Sequence, residues 1–475
     1  MAGSEGCEAQ PKPGSAAVIS LELDAMKWAE QQFGQCNLGD ARRTRRAVQF
    51  AAQVAADPDA STPVQAECWS DLKAAYRLIG EEDVTFAALA SGHWNLTRDR
   101  DSGTYLILGD TTELDFGLSR DIQGVSPVAC NWGRGFLLHS GLMIDAETEA
   151  VVGLAGQVIH HRKPASKTES SSQKLKRPRE SDVWGQVVEQ IGGPRGSARF
   201  IHVFDRGADN YEVFCRVIDC HGDFVIRAAR LNRKGLHEGQ EITLEQRLQK
   251  LPLAGTYELQ VRANKNQPAR TAKIEVRFGS VMLKVPRHQS PWLRQHGPAT
   301  LTLSSVEVRE VDAPRGVKPL RWVLFTTLPV TSFTRAWDVI EYYEKRPVIE
   351  EFHKALKTGC RIEDRCYHTG ERLEAIAGLL SVVAIRLLQL RSQARVEPER
   401  PAAEVVPQPW ITMLTCLRRN KTITTARQFF RELAGLGGFL GRKNDGEPGW
   451  ITLWRGFEKL QFAMRATRAY RNKCG

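Results

Sequence analysis

The chain has 475 residues, with 66 Lys and Arg against 55 Asp and Glu and a formal charge of +11 at pH 7. That length holds two to four domains, and the basic excess leans toward a polyanionic partner, a merely basic soluble enzyme being the plain alternative. Ten cysteines without a C-x-x-C pair match neither a zinc module nor a disulfide framework, and no apolar run approaches the ~20 residues that span a bilayer. With no signal-peptide core at the N-terminus, the expectation is a soluble cytoplasmic protein with reduced thiols and no membrane partner.

Residues 1–18 are small, polar and broken by Pro and Gly, which reads as a loose leader. Helical patterns occupy 19–98. In LGDARRTRRAVQFAAQVA, Asp40 is a natural N-cap and Arg42, Arg45, Arg46 and Gln49 form a polar stripe, while Ala, Val and Phe fill the rest of the circumference. The stripe can meet phosphates or can be a solvated helix face.

From 99 to 230 the runs shorten and turn β-rich. TYLILGD is a strand ending in Asp110, and FLLHSGLMI and VVGLAGQVIHH are two more, joined by a turn at Asp145 to Thr148. The Ser- and Lys-rich stretch from Lys163 to Arg179 reads as an exposed loop. The helix DVWGQVVEQIG, the strand ARFIHVFDR, the helix NYEVFCRVIDC and the strand DFVIRAAR follow. A meander followed by helix, strand, helix and strand gives an α/β fold, a mixed sheet with flanking helices. Residues 231–318 read as a β-rich insertion, in which Ile274, Val276 and Phe278 alternate with Lys273, Glu275 and Arg277 as in a half-buried strand. The core resumes over 319–393 with the strand RWVLFTTLPV, a charged helical segment and the apolar helix LEAIAGLLSVVAIRLLQLRSQ. After a Pro-rich linker, 394–475 is a helical C-terminal region.

The charged segment EYYEKRPVIEEFHKALKTG places Tyr343, Arg346, Glu350 and Lys357 within an arc of about 60° if it forms one continuous helix. Asp110 and Asp205 each close a strand, and Glu350 sits on a helix able to pack above those strand ends. Three hard oxygen ligands suit Mg²⁺ or Mn²⁺, and two such ions about 4 Å apart serve phosphodiester chemistry. Cations beside carboxylates fit a phosphodiester site, whereas an ordinary helix laced with ion pairs is the plain alternative, one that leaves Tyr343 unexplained.

GDTTELDFG, HVFDRGADNYE and YEKRPVIEEFHKALKTG together resemble the three acidic blocks of the bacterial cut-and-paste transposases of the insertion-sequence-four group, including its Tyr-Arg-Glu-Lys signature. LGDARRTRR, AAYRLI, PLRWVLFTTLPV, VAIRLLQLR and LGGFLGRKNDGEPGWITLW extend the likeness over nearly all the chain beyond residue 20. The resemblance implies a ribonuclease-H-like core with Asp110, Asp205 and Glu350 as catalytic residues and metal ligands for two Mg²⁺ (or Mn²⁺) ions. It implies nicking at the element's end, hairpin formation and opening, and strand transfer into target DNA. Tyr343, Arg346 and Lys357 would grip phosphates, Arg227 would add a further cation, and Trp322 would take a flipped base unless it is a core aromatic. Arg42, Arg45, Arg46 and Arg77 would belong to an end-binding N-terminal domain. The C-terminal helices would pair two protomers on double-stranded DNA. The expected location is the bacterial cytoplasm at the nucleoid, with no nucleotide cofactor.

Two residues depart from the family pattern. Pro347 stands where a close relative within that group carries Trp, and a proline inside a helix removes a hydrogen bond; placed in a first turn, it would leave Tyr343 and Arg346 ahead of the helix. Gly207 replaces the acid usual after the second triad Asp. The rival readings are a nuclease that cuts without joining and an inactive DNA-binding regulator.

Overall fold

The computed structural model describes residues 24–163, 168, 170, 180–261, 268–442 and 445–474. The expected leader and nearly all of the Lys163 to Arg179 loop lie outside these residues.

The N-terminal region is helical as its patterning predicts, with helices at Ala25–Phe33, Ala41–Ala56, Thr62–Gln65, Trp69–Ile79 and Phe86–Arg98. Asp40 caps the second helix, accepting a hydrogen bond from the Arg42 amide at 2.7 Å. Its Ala47, Val48, Phe50, Ala51 and Val54 are buried, so the apolar arc of the sequence is the packed face.

The described strands form one mixed sheet. They are β1 (Thr104–Asp115), β2 (Ser126–Val128), β3 (Gly133–Asp145), β4 (Val151–His160), β5 (Arg199–Phe204), β6 (Asp223–Arg227), β7 (Lys234–His237), β8 (Gln240–Thr243), β9 (Leu253–Val261), β10 (Arg270–Lys284), β11 (Thr300–Val311) and β12 (Arg321–Thr326). Strands β1, β3 and β4 are the antiparallel meander, and β5 and β6 join parallel on the other side of β1. The helices Val183–Ile191 and Tyr211–Asp219 make the crossovers, the second capped by Asn210. This is the ribonuclease-H-like core, a mixed sheet flanked by helices, with helical regions before and after it.

The β-rich insertion extends the core sheet, because β11 pairs with β12 on one side and β10 on the other. The structure corrects two expectations. The helix Gly370–Val396 carries a stretch, Gly370–Ser392, that is long and apolar enough to cross a bilayer, contrary to the sequence reading; 89% of that window is buried inside the fold. A helix apolar on all sides needs cover on all sides, and here the protein supplies it. The Pro-rich stretch after this helix is not an open linker either: Ala402, Val405 and Val406 are buried in the core that joins the N-terminal helices, one face of the sheet and the C-terminal helices.

Candidate active site

Parallel pairing of β1 with β5 ends at Leu108 opposite Val203. Asp110 and Asp205 each follow two residues later, so the strand period brings both toward one face where the two strands part. Asp110 does not end its strand, as the sequence suggested; β1 runs on to Asp115, with Asp110 opposite Ser140 of β3. Asp205 follows the last residue of β5 and caps a short 3₁₀ turn, accepting from the Gly207 amide at 2.7 Å.

The signature segment is two helices rather than one. Phe333–Glu344 ends before Pro347, which stands at the N-cap of Val348–Lys354, and Ala355–Gly359 then widens into a π turn. The proline supplies the break by removing a donor the first helix would need. The single-face arrangement is therefore lost, and the π turn shifts Lys357 out of the period it would share with Glu350.

Tertiary packing nevertheless gathers the acids around one guanidinium. Arg346 Nη2 lies 3.0 Å from Asp110 Oδ1 and 3.7 Å from Asp205 Oδ2, and Nη1 lies 3.4 Å from Glu350 Oε1. All three carboxylates thus fall well inside a nanometre of one another. Arg346 is largely buried, its side chain 13% exposed. Burial pushes the Asp110 carboxyl upward; Arg346 pulls it down, and Asp205 and Glu350 push it up further. One positive charge faces three carboxylates, a deficit that a divalent cation would offset.

The other expected residues divide. Arg227 follows Ile226, which pairs with Phe204, so it is the register neighbour of Asp205; its Nη2 donates to the Arg321 carbonyl at 3.3 Å. Trp322 and Tyr343 are half-buried with ring centroids 6.2 Å apart, so Trp322 is neither a closed core residue nor an open platform. Lys357 turns to Glu363, 3.0 Å away. Arg42, Arg45 and Arg77 are exposed and form no ion pair among the described residues, whereas Arg46 is held by Asp71 at 3.0 Å.

Two residues passed over in the sequence belong to this neighbourhood. His353 Nδ1 is 3.8 Å from Asp110 Oδ2, and burial, then Lys357 and Arg346, lower its pKa to about 3, so the ring is neutral. The signal was its place three residues after Glu350, one turn on. Glu363 accepts from both Lys357 and the Asp115 amide, and no local pattern marks that link.

Comparison with known families decides what this arrangement belongs to. Residues 25–84 match the model for transposase DNA-binding, 177–386 the transposase DDE domain, and 382–474 the transposase Tn5 dimerisation domain. The chain belongs to the Tn5-type DDE transposases. Asp205 and Glu350 fall within the matched DDE domain and Asp110 precedes it. Among solved structures, this transposase is similar to the piggyBac transposase of a synaptic complex with hairpin DNA, at 9% identity and a TM-score of 0.40, over 81% of this chain and 78% of that one.

The departures from the family pattern have local explanations in this transposase. A side chain at Gly207 would put its first carbon 3.0 Å from both the Asp205 carboxylate and the Trp184 ring. Among the described residues, no group of three or more His, Cys, Asp or Glu side chains is arranged to hold a metal ion as they stand. The Arg346 guanidinium contacts each of the three acids, and its departure would leave their carboxylates without that shared counter-charge.

Proposed function

We propose that this transposase excises a mobile element by nicking the 3′ end, forming and opening a hairpin, and transferring the freed strand into target DNA. The observation that carries the reading is the convergence of Asp110, Asp205 and Glu350 on Arg346. Asp110, Asp205 and Glu350 would hold two Mg²⁺ or Mn²⁺ ions, which when bound acidify the attacking hydroxyl and stabilise the leaving oxygen. Each step is a direct displacement at phosphorus: water attacks first, the new 3′-hydroxyl attacks the opposite strand, and the bond to the leaving oxygen breaks without an enzyme-linked intermediate.

The chain's own residues position the DNA. Arg346, once it leaves the carboxylates, is placed to bind a non-bridging oxygen through its planar fork, and Arg227 supplies a second cation beside Asp205. Trp322, backed by Tyr343, offers a ring to an extruded base, with stacking worth about 1–3 kcal/mol. His353 stays neutral beside Asp110 and keeps a competing positive charge out of the carboxylate cluster.

Incubation with end DNA and Mg²⁺ tests the reading. Joined products are expected, and Asp205→Asn should abolish them while DNA binding persists. Cut products alone would indicate a nuclease, and a mobility shift without cutting would indicate a binding regulator.

A further inference from the structure

The hairpin between β2 and β3 carries a feature that neither the acids nor the signature explains. Trp132 is 81% exposed and makes no ring or cation contact among the described residues. It is presented by three consecutive non-glycine residues in the left-handed region, Ala129, Cys130 and Asn131, with φ of 49°, 55° and 74°. Each such residue costs free energy and persists only where its surroundings hold it. Here the Ala129 amide donates to Glu113 Oε2 at 2.8 Å, and the Arg134 and Gly117 amides donate to Asp115 Oδ1 at 3.1 and 2.9 Å. Gly133 lies so close that a side chain there would meet the Asp115 carboxylate at 2.4 Å. The hairpin is thus clamped onto the outer half of β1, the strand that carries Asp110. Through Asp115 and Glu363 it also connects to Lys357.

Exposed Arg134 follows two residues after Trp132. In the antiparallel register that sets Asp115 opposite Gly135, Trp132 falls about eight residues beyond Asp110, which at ~3.3 Å per residue is about 26 Å, or about eight base steps of duplex. We infer that this hairpin is a second DNA contact, in which Trp132 wedges into a base step of the target duplex and Arg134 takes an adjacent phosphate. The inference rests on the strand-transfer reading above. Target rather than end DNA is indicated because Trp132 and Arg134 act through stacking and charge, which tolerate any sequence, and the exposed Asn131 beside them is a single edge reader where a fixed end sequence calls for several.

A duplex whose base step is already weakened should bind better, since the wedge then has less unstacking to do. The full chain is titrated without divalent metal against two 40-bp mixed-sequence duplexes, one fully paired and one with a single central mispair, by fluorescence anisotropy. Wild type should favour the mispaired duplex by about tenfold, Trp132→Ala should lose that preference, and Trp132→Phe should keep most of it. An unchanged melting temperature for Trp132→Ala, expected for so exposed a residue, removes misfolding as the cause. Equal binding of both duplexes by wild type, or an undiminished preference in Trp132→Ala, overturns the wedge alone. Failure of wild type to bind either duplex overturns the strand-transfer reading with it.

Discussion

Arg346 Nη2 sits 3.0 Å from Asp110 Oδ1, inside the space that a cation bound to the three acids would share. Arg346→Ala should therefore bind Mn²⁺ about tenfold more tightly, because a positive charge within about 4 Å disfavours a second one by more than one pK unit's worth of energy. The metal-free variant should also melt lower, having lost a contact common to the three carboxylates. Calorimetric titration with Mn²⁺ and a melting curve without it check both, and an unchanged or weaker affinity would refute the competition.

Stability should decline in mild acid through buried histidines away from the acids. His93 Nε2 accepts from the Leu154 amide at 2.9 Å while Nδ1 donates to Gln32 Oε1 at 2.6 Å, an arrangement that requires the neutral ring. Burial lowers its pKa from 6.5 to about 4, and burial lowers that of His202 to about 3. With folded values below the unfolded one, the unfolded chain takes up the protons. Their contribution is intact above about pH 6.5 and is lost as pH falls toward 4, by up to about 1.4 kcal/mol per unit for each ring. Urea midpoints from pH 7 to 5 should show this slope, and His202→Phe should flatten it.

The N-terminal arginines should separate by salt dependence. Arg42→Ala, Arg45→Ala and Arg77→Ala are each expected to weaken binding of end DNA and reduce the slope of log K against log salt by about one. Arg46→Ala, whose partner is Asp71, should change that slope less and lower the melting temperature slightly. Identical slopes for all four would show that the ion pair does not distinguish them.

Self-association should depend on the last helix, Trp450–Cys474. Ile451 and Phe462 are 61% and 68% exposed, and their separation of eleven residues, close to three helical turns, puts them on one face. Phe462→Glu should shift the protein toward monomer in sedimentation equilibrium without unfolding it, since the ring is not part of the intramolecular core. A dimer of unchanged strength would place the interface elsewhere.

The sequence by itself determined what depends on near neighbours: the Asp40 cap, the alternation of β10, the meander and its crossovers, and the three acids in their order. It also showed that Pro347 could divide the signature segment, because a missing donor acts within one turn. Only the tertiary structure decided that β11 joins the insertion to the core sheet, that the most apolar helix is wrapped by protein, that Lys357 turns to Glu363, and that Arg346 contacts all three acids. Those outcomes rest on contacts between residues up to hundreds of positions apart, where packing and charge balance override helical periodicity, and no local spacing encodes which distant group a long side chain will meet.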